Sequence, residues 1–181
     1  MAPIKSNPQL SLRPQDVIVL LQLAISRDTP LTYARLAQEV QLTASEVHAS
    51  VNRAIKAQLV TKGQDGKPHV LLEPLKLFLI HGVRYCFPAM RGEMTRGVPT
   101  SHAAEPLASQ VVAGNEPPPV WPDKNGKVRG MTFVPLYPSA PQAAMQNHTL
   151  YELLALTDAL RGGSPRERAL AQKELEARLS A

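Results

Sequence analysis

The sequence predicts a mainly α-helical protein with one small β-hairpin. Three observations carry that prediction. Apolar residues recur at helical spacing behind Ser, Thr or Pro start signals in several segments. An Asp-Gly turn, Asp65-Gly66, separates two short apolar runs. Ten of the 17 prolines fall between residues 85 and 148, where regular helix is not expected.

The 181 residues are 44% hydrophobic and 19% charged, proportions that allow a buried core. The length fits one domain, or one small domain with appendages. A net charge of +5 suits an anionic partner without specifying one. Cys86 is the only cysteine, so an intrachain disulfide and a Cys-rich zinc site are both excluded. Met1 to Leu12 contains no apolar run of signal-peptide length, and Val17 to Ile25 is too short to span a bilayer. A cytoplasmic protein without membrane contact is the expectation.

Residues 1–12, polar with Pro3 and Pro8, read as a flexible arm. Pro14 suits a first helical position, and the helix it opens is apolar nearly all round from Val17 to Ile25. Thr32 caps a short helix, Tyr33 to Val40, with Leu36, Ala37 and Val40 on one stripe. After a turn at Gln41-Leu42, Thr43 and Glu46 form a Thr-x-x-Glu capping box for a second helix reaching about Gln58. Val47, Val51, Ala54 and Ile55 mark its inner stripe. Two short helices joined by a tight turn make a helix-turn-helix. The runs Leu59 to Lys62 and His69 to Leu72 then read as strands of a hairpin, and Pro74 opens another apolar helix to about Arg84.

Residues 85–148 read as an irregular, Pro-rich but ordered extension, since Trp121, Phe133 and Tyr137 are more apolar than a solvated linker requires. Asn125-Gly126, between Val120-Trp121 and Val128 to Val134, predicts one further hairpin. Residues 149–181 read as a helical hairpin whose helices start at Thr149 with Glu152 and at Ser164 with Pro165 and Glu167, separated by Gly162-Gly163.

Residues 31–54, from Leu-Thr-Tyr-Ala-Arg-Leu-Ala through Leu-Thr-Ala-Ser-Glu to Val-Asn-Arg-Ala, resemble the helix-turn-helix of winged regulators of the MarR-like kind. The resemblance covers about residues 12–84 and makes 13–84 a winged helix-turn-helix domain with the Lys62 to His69 hairpin as its wing. Gln41 and Gln58 stand where that family often has glycine, and its long flanking dimerisation helices are not evident. What the resemblance implies is sequence-specific binding of double-stranded DNA by a bacterial transcriptional regulator, a repressor.

A helix that enters the major groove must offer short or polar side chains outward. With Val47, Val51 and Ile55 turned in, the outward residues are expected to be Ser45, Glu46, His48, Ala49, Asn52, Arg53 and Lys56. Asn and Arg are the types that pair with adenine and guanine edges, so Asn52, Arg53, His48 and Ser45 are the expected base readers. Ala49 allows close approach, and Thr43, Lys56, Lys62 and Lys67 are expected at phosphates. A homodimer on paired half-sites is expected, with the C-terminal helical hairpin a candidate contact.

The competing reading is a protein-interaction module, such as an antitoxin or adaptor, whose residues 85–181 hold a second protein. Arg91, Arg96, Lys124, Lys127 and Arg129 read either as a second phosphate-contacting surface or as scattered surface cations. Thr95 to His102 places nucleophile and base types side by side, but adjacent residues seldom meet in catalytic geometry. The five histidines show no metal-ligand spacing. Neither catalytic residues, metal nor cofactor is expected.

Overall fold

The computed structural model describes residues 11–112 and 114–180, so most of the expected arm lies outside the described residues. Helix α1 (Pro14–Ile25) begins where Pro14 fixes φ and the Asp16 carboxylate accepts the backbone N–H of Arg13 at 2.8 Å. Asp16 through Ala24 are all buried, as an all-round apolar helix must be. Helix α2 (Tyr33–Val40) starts at the Thr32 cap, and α3 (Ala44–Lys56) at the reciprocal Thr43–Glu46 box. Strands β1 (Val60–Lys62) and β2 (Pro68–Val70) pair antiparallel, with Thr61 opposite His69. The chain is mainly α with some β.

Helices α4 (Leu72–Leu77) and α5 (Val83–Cys86) are joined by a π turn, Phe78–Gly82. Leu75, Leu79 and Val83, four residues apart, are fully buried. The wider π turn keeps a four-residue spacing on one side, where a regular helix would let it drift.

The Pro-rich stretch is more regular than its composition predicts. Strands β3 (Arg91–Pro99), β4 (Pro119–Pro122) and β5 (Val128–Phe133) close into a small barrel. The predicted hairpin across Asn125-Gly126 is corrected here: β4 and β5 both form, but each pairs antiparallel with β3, and they meet one another in parallel at Pro119 and Val120. Prolines explain part of this, because β4 has no N–H at Pro119 or Pro122 and cannot complete a two-stranded ladder. Glycines explain the rest. A Cβ on Gly97 would lie 1.9 Å from the Trp121 carbonyl oxygen, and one on Gly130 would lie 2.0 Å from that of Pro118, so only glycine admits the closure. Between β3 and β4 a 3₁₀ turn, Ser101–Ala103, leads the chain out.

Helix α6 (Ala140–Gln146) also falls within the stretch expected to be irregular, and Pro141 sits in its first turn where proline is tolerated. Helix α7 (His148–Gly162) is capped by Asn147, whose side chain accepts from the N–H of Leu150, so Thr149 and Glu152 do not form the expected start. Glu152 instead binds Arg178 at 3.0 Å. Helix α8 (Pro165–Leu179) does open at the Ser164–Glu167 capping box, after α7 ends against Gly163.

Helix α7 is the post both halves share. It is buried continuously from Leu153 to Arg161 and packs against α1, α5, α6, α8 and the 3₁₀ turn. A single hydrophobic cluster therefore runs from Val17 and Leu20 of α1 through Trp121 of β4 to Leu154, Leu175 and Leu179. Each such leucine contributes about 1.5 to 3 kcal/mol on burial. No helix is long and apolar enough to cross a membrane among the described residues.

Candidate nucleic-acid interface

The outward side of α3 follows from its inner stripe. Val47, Val51 and Ala54 are buried, leaving Ala44, Ser45, His48, Ala49, Asn52 and Lys56 exposed. The C-terminal half leaves that side open. Its hydrogen bonds to α2 and α3 fall around the turn between them, where Tyr137 donates to Glu46 at 3.3 Å, Ser139 to the Val40 carbonyl at 3.1 Å, and Gln41 to Gln146 at 2.9 Å.

Arg53 is not among the outward residues, and its assignment as a base reader is corrected. Its guanidinium is turned inward, with Nε and one amino group on the two oxygens of Asp16 at 2.8 and 2.6 Å and a further bond to Ser50 at 3.1 Å. The side chains are 9% and 0% exposed. A planar fork matched to a carboxylate at that depth is a structural clamp between α1 and α3. The hydrogen bonds that Arg53 donates to Asp16 hold its pKa above the ordinary value, against desolvation. The missed signal was Asp16, a lone acid inside an otherwise apolar helix, which requires a buried partner.

Asn52 and His48 form a pair. The Asn52 amide nitrogen lies 3.1 Å from Nδ1 of His48, one turn away on the same helix face. Tyr33, which the sequence reading passed over, stands beneath them with its ring 5.1 Å from the imidazole. Its hydroxyl is buried without a hydrogen-bond partner among the described residues, and burial raises its pKa. Thr43 is exposed, but its hydroxyl bonds the Glu46 carboxylate at 2.7 Å while accepting the Glu46 N–H at 3.2 Å. The Thr43 side-chain and backbone bonds lower the Glu46 pKa. Thr43 thus sets the helix start, and the exposed Ser45 beside it makes no such bond among the described residues.

The cations converge unevenly. A shallow groove of about 840 Å³ runs between the end of α3 and β1, lined by Asn52, Lys56, Gln58, Thr61 and Lys62 among others. Lys56 and Lys62 are exposed at this groove, and neither makes an ion pair among the described residues. Lys67 lies on the far arm of the hairpin, 4.0 Å from Asp65.

Elsewhere, Ser101 and His102 do not form a nucleophile–base pair. Ser101 has φ 54° and its buried hydroxyl lacks a partner, while His102 Nδ1 faces Glu167 at 3.3 Å. Glu167, the acid of the Ser164 capping box, approaches the imidazole without a hydrogen bond to it, and no hydroxyl-to-imidazole bond forms among the described residues. Among the described residues no group of three or more potential ligands is placed to hold a metal ion. No family model, curated protein or solved structure matches the chain.

Proposed function

We propose that the protein binds double-stranded DNA sequence-specifically as a transcriptional regulator, a repressor in its simplest form, through a winged helix-turn-helix formed by α1 to α3 and the β1–β2 hairpin. The observation that carries this reading is the open side of α3, where Ser45, His48, Ala49, Asn52 and Lys56 are all exposed while the rest of the molecule packs elsewhere. A helix of that width fits the major groove, and a small Ala49 near its centre lets the backbone approach the base edges. Asn52, aligned by His48, is the first candidate for an adenine edge. Lys56 and Lys62 meet phosphates on either side of the groove between helix and wing. Thr43 and Arg53 position this surface from behind, through the helix cap and the Asp16 clamp. A homodimer would place two such helices on paired half-sites.

The experiment is binding to the DNA upstream of the protein's own gene against random duplex of equal length, at two salt concentrations. Selective binding that survives the higher salt supports the reading. Asn52→Ala should cost about 1 to 3 kcal/mol of the preference for the specific site. Equal affinity for both duplexes, vanishing with salt, would overturn it.

One observation favours the second reading, an adaptor or antitoxin holding a protein partner. Leu77, Tyr85 and Met90 are 60%, 74% and 60% exposed, large apolar side chains that a closed fold has no need to present. The C-terminal helical hairpin is less suited to that task, because Leu175 and Leu179 are buried inside the chain's own core. An untagged protein retained in stoichiometric amount on purification from the native host, and lost in Leu77→Asp/Tyr85→Asp, would support the second reading. A clean homodimer would count against it.

A further inference from the structure

The cations of the small barrel do not lie scattered. Arg96 of β3 and Arg129 of β5 are register partners in the antiparallel pair, so their side chains leave the same face of the ribbon. Both are exposed. Like charges directly opposite one another weaken a strand pair, and nothing in the fold relieves this one. Neither guanidinium has a hydrogen bond or ion pair among the described residues, whereas Arg53, Arg161 and Arg178 are each bound to a carboxylate. The turn between β4 and β5 adds two more. Asp123 accepts the Asn125 N–H at 2.7 Å and its carbonyl accepts that of Gly126 at 3.0 Å, a tight turn that leaves Lys124 and Lys127 exposed. The acids nearest in the chain are Glu93 and this Asp123, and neither forms a salt bridge with the four cations.

The opposite face of the ribbon explains why the arginines point out. Gly97 and Gly130, next to Arg96 and Arg129 and so turned to the other face, press against the Trp121 and Pro118 carbonyls, and neither position has room for a side chain. Closure of the barrel and display of the arginine pair are one geometrical fact. Met94 and Met131, the next pair on the arginine face, extend it with apolar surface.

We propose that Arg96, Arg129, Lys124 and Lys127 form a second polyanion-binding surface whose ligand is the phosphate backbone of duplex DNA. The identity of the polyanion rests on the DNA-binding reading above; the surface itself does not. Phosphates would neutralise the opposed arginines and supply the partners the fold withholds, adding affinity without sequence preference.

The full chain is tested as wild type, R96Q/R129Q, K124Q/K127Q and N52A, by fluorescence anisotropy on upstream and random duplexes across a salt series. R96Q/R129Q is expected to reduce the slope of log affinity against log salt by about 2, one for each cation lost, equally on both duplexes. K124Q/K127Q should do the same to a similar or smaller extent. N52A should leave the slope and reduce the preference. R129E supplies an independent readout, since it turns the repelling pair into an Arg96–Glu pair and should raise the melting temperature while weakening DNA binding. Unchanged slopes in both double variants, with N52A still reducing the preference, would overturn this inference and leave the proposed function standing. Reduced slopes with an indifferent N52A would overturn the role of α3 and leave the barrel surface standing. Wild-type binding to single strands alone would overturn the duplex assignment.

Discussion

The α1–α3 unit and the barrel with α7 each contain a buried Asp–Arg pair, and the two pairs do different work. Asp16 and Arg53 are 37 residues apart and join two helices side to side. Asp158 and Arg161 are neighbours on one helix at 2.6 Å, too close in sequence to tie anything by themselves. Their structural effect comes from third parties. The second Asp158 oxygen accepts Thr100 Oγ1 at 2.8 Å and Trp121 Nε1 at 2.7 Å, and Arg161 donates to the Phe87 and Pro88 carbonyls. One pair is a two-way clamp; the other is a hub joining β3, β4 and the end of α5 to α7. Burial pushes the Asp158 carboxyl up, against the opposing pull of Arg161, Thr100 and Trp121.

The largest effects test this distinction. Asp16→Asn or Asp158→Asn alone should each cost about 3 to 5 kcal/mol, because each leaves a buried guanidinium facing an amide that cannot neutralise it. The double replacements should separate the two. Asp16→Leu with Arg53→Met removes both charges and leaves the Arg13 N–H, at an exposed helix start, and the Ser50 hydroxyl, which can turn to a carbonyl of its own helix, without their partners, so most of the loss should be recovered. Asp158→Leu with Arg161→Met still strands Thr100, Trp121 and two carbonyls in the core and should recover little. Urea melts of these four variants and the wild type decide it, and equal recovery in both pairs would break the comparison.

How far the sequence was legible divides along the same line. Helix starts are local statements, and Pro14, Thr32, Thr43-Glu46 and Ser164-Glu167 all stand where the structure begins a helix. The start of α7 was misplaced by two residues because Asn147 competes with Thr149 for the same role and only packing decides between them. Partnership in the core is non-local. Arg53 has helical spacing compatible with an outward or a flanking position, and its inward turn depends on an acid in another helix. The barrel was least legible, since β3 carries Gly92, Gly97 and Pro99 where strand propensity asks for branched side chains. Gly97, with Gly130 of β5, is what lets the three strands close.

A smaller effect compares the two capping boxes. Thr43→Ala should cost about 1 kcal/mol at neutral pH, as should Ser164→Ala. In the first box the pH dependence is defined. The Glu46 pKa is lowered in the folded protein, so its contribution is full above the ordinary glutamate value and is lost as the pH falls through the lower folded value. The stability gap between wild type and Glu46→Ala should therefore narrow below about pH 4, the ordinary glutamate range. A gap that stays constant to pH 3 would show that the carboxylate plays no part in the cap.

The smallest effect concerns two glutamines in left-handed backbone. Gln41 at φ 55° and Gln58 at φ 59° occupy conformations that glycine adopts without strain, and they are the positions at which the resembling family often carries glycine. They differ in what their side chains do. Gln41 donates to the Gln38 carbonyl and to Gln146, both at 2.9 Å, which links the α2–α3 turn to α6. Gln58 is exposed and its side chain bonds to nothing among the described residues. Gln58→Gly should therefore stabilise the protein by about 0.5 to 1 kcal/mol, the relief of strain exceeding the added freedom of the unfolded chain. Gln41→Gly should gain the same relief and lose the link, ending near zero or slightly negative. Thermal melts showing Gln41→Gly as the more stabilising of the two would mean that the bond to Gln146 adds nothing to the hold between the two halves.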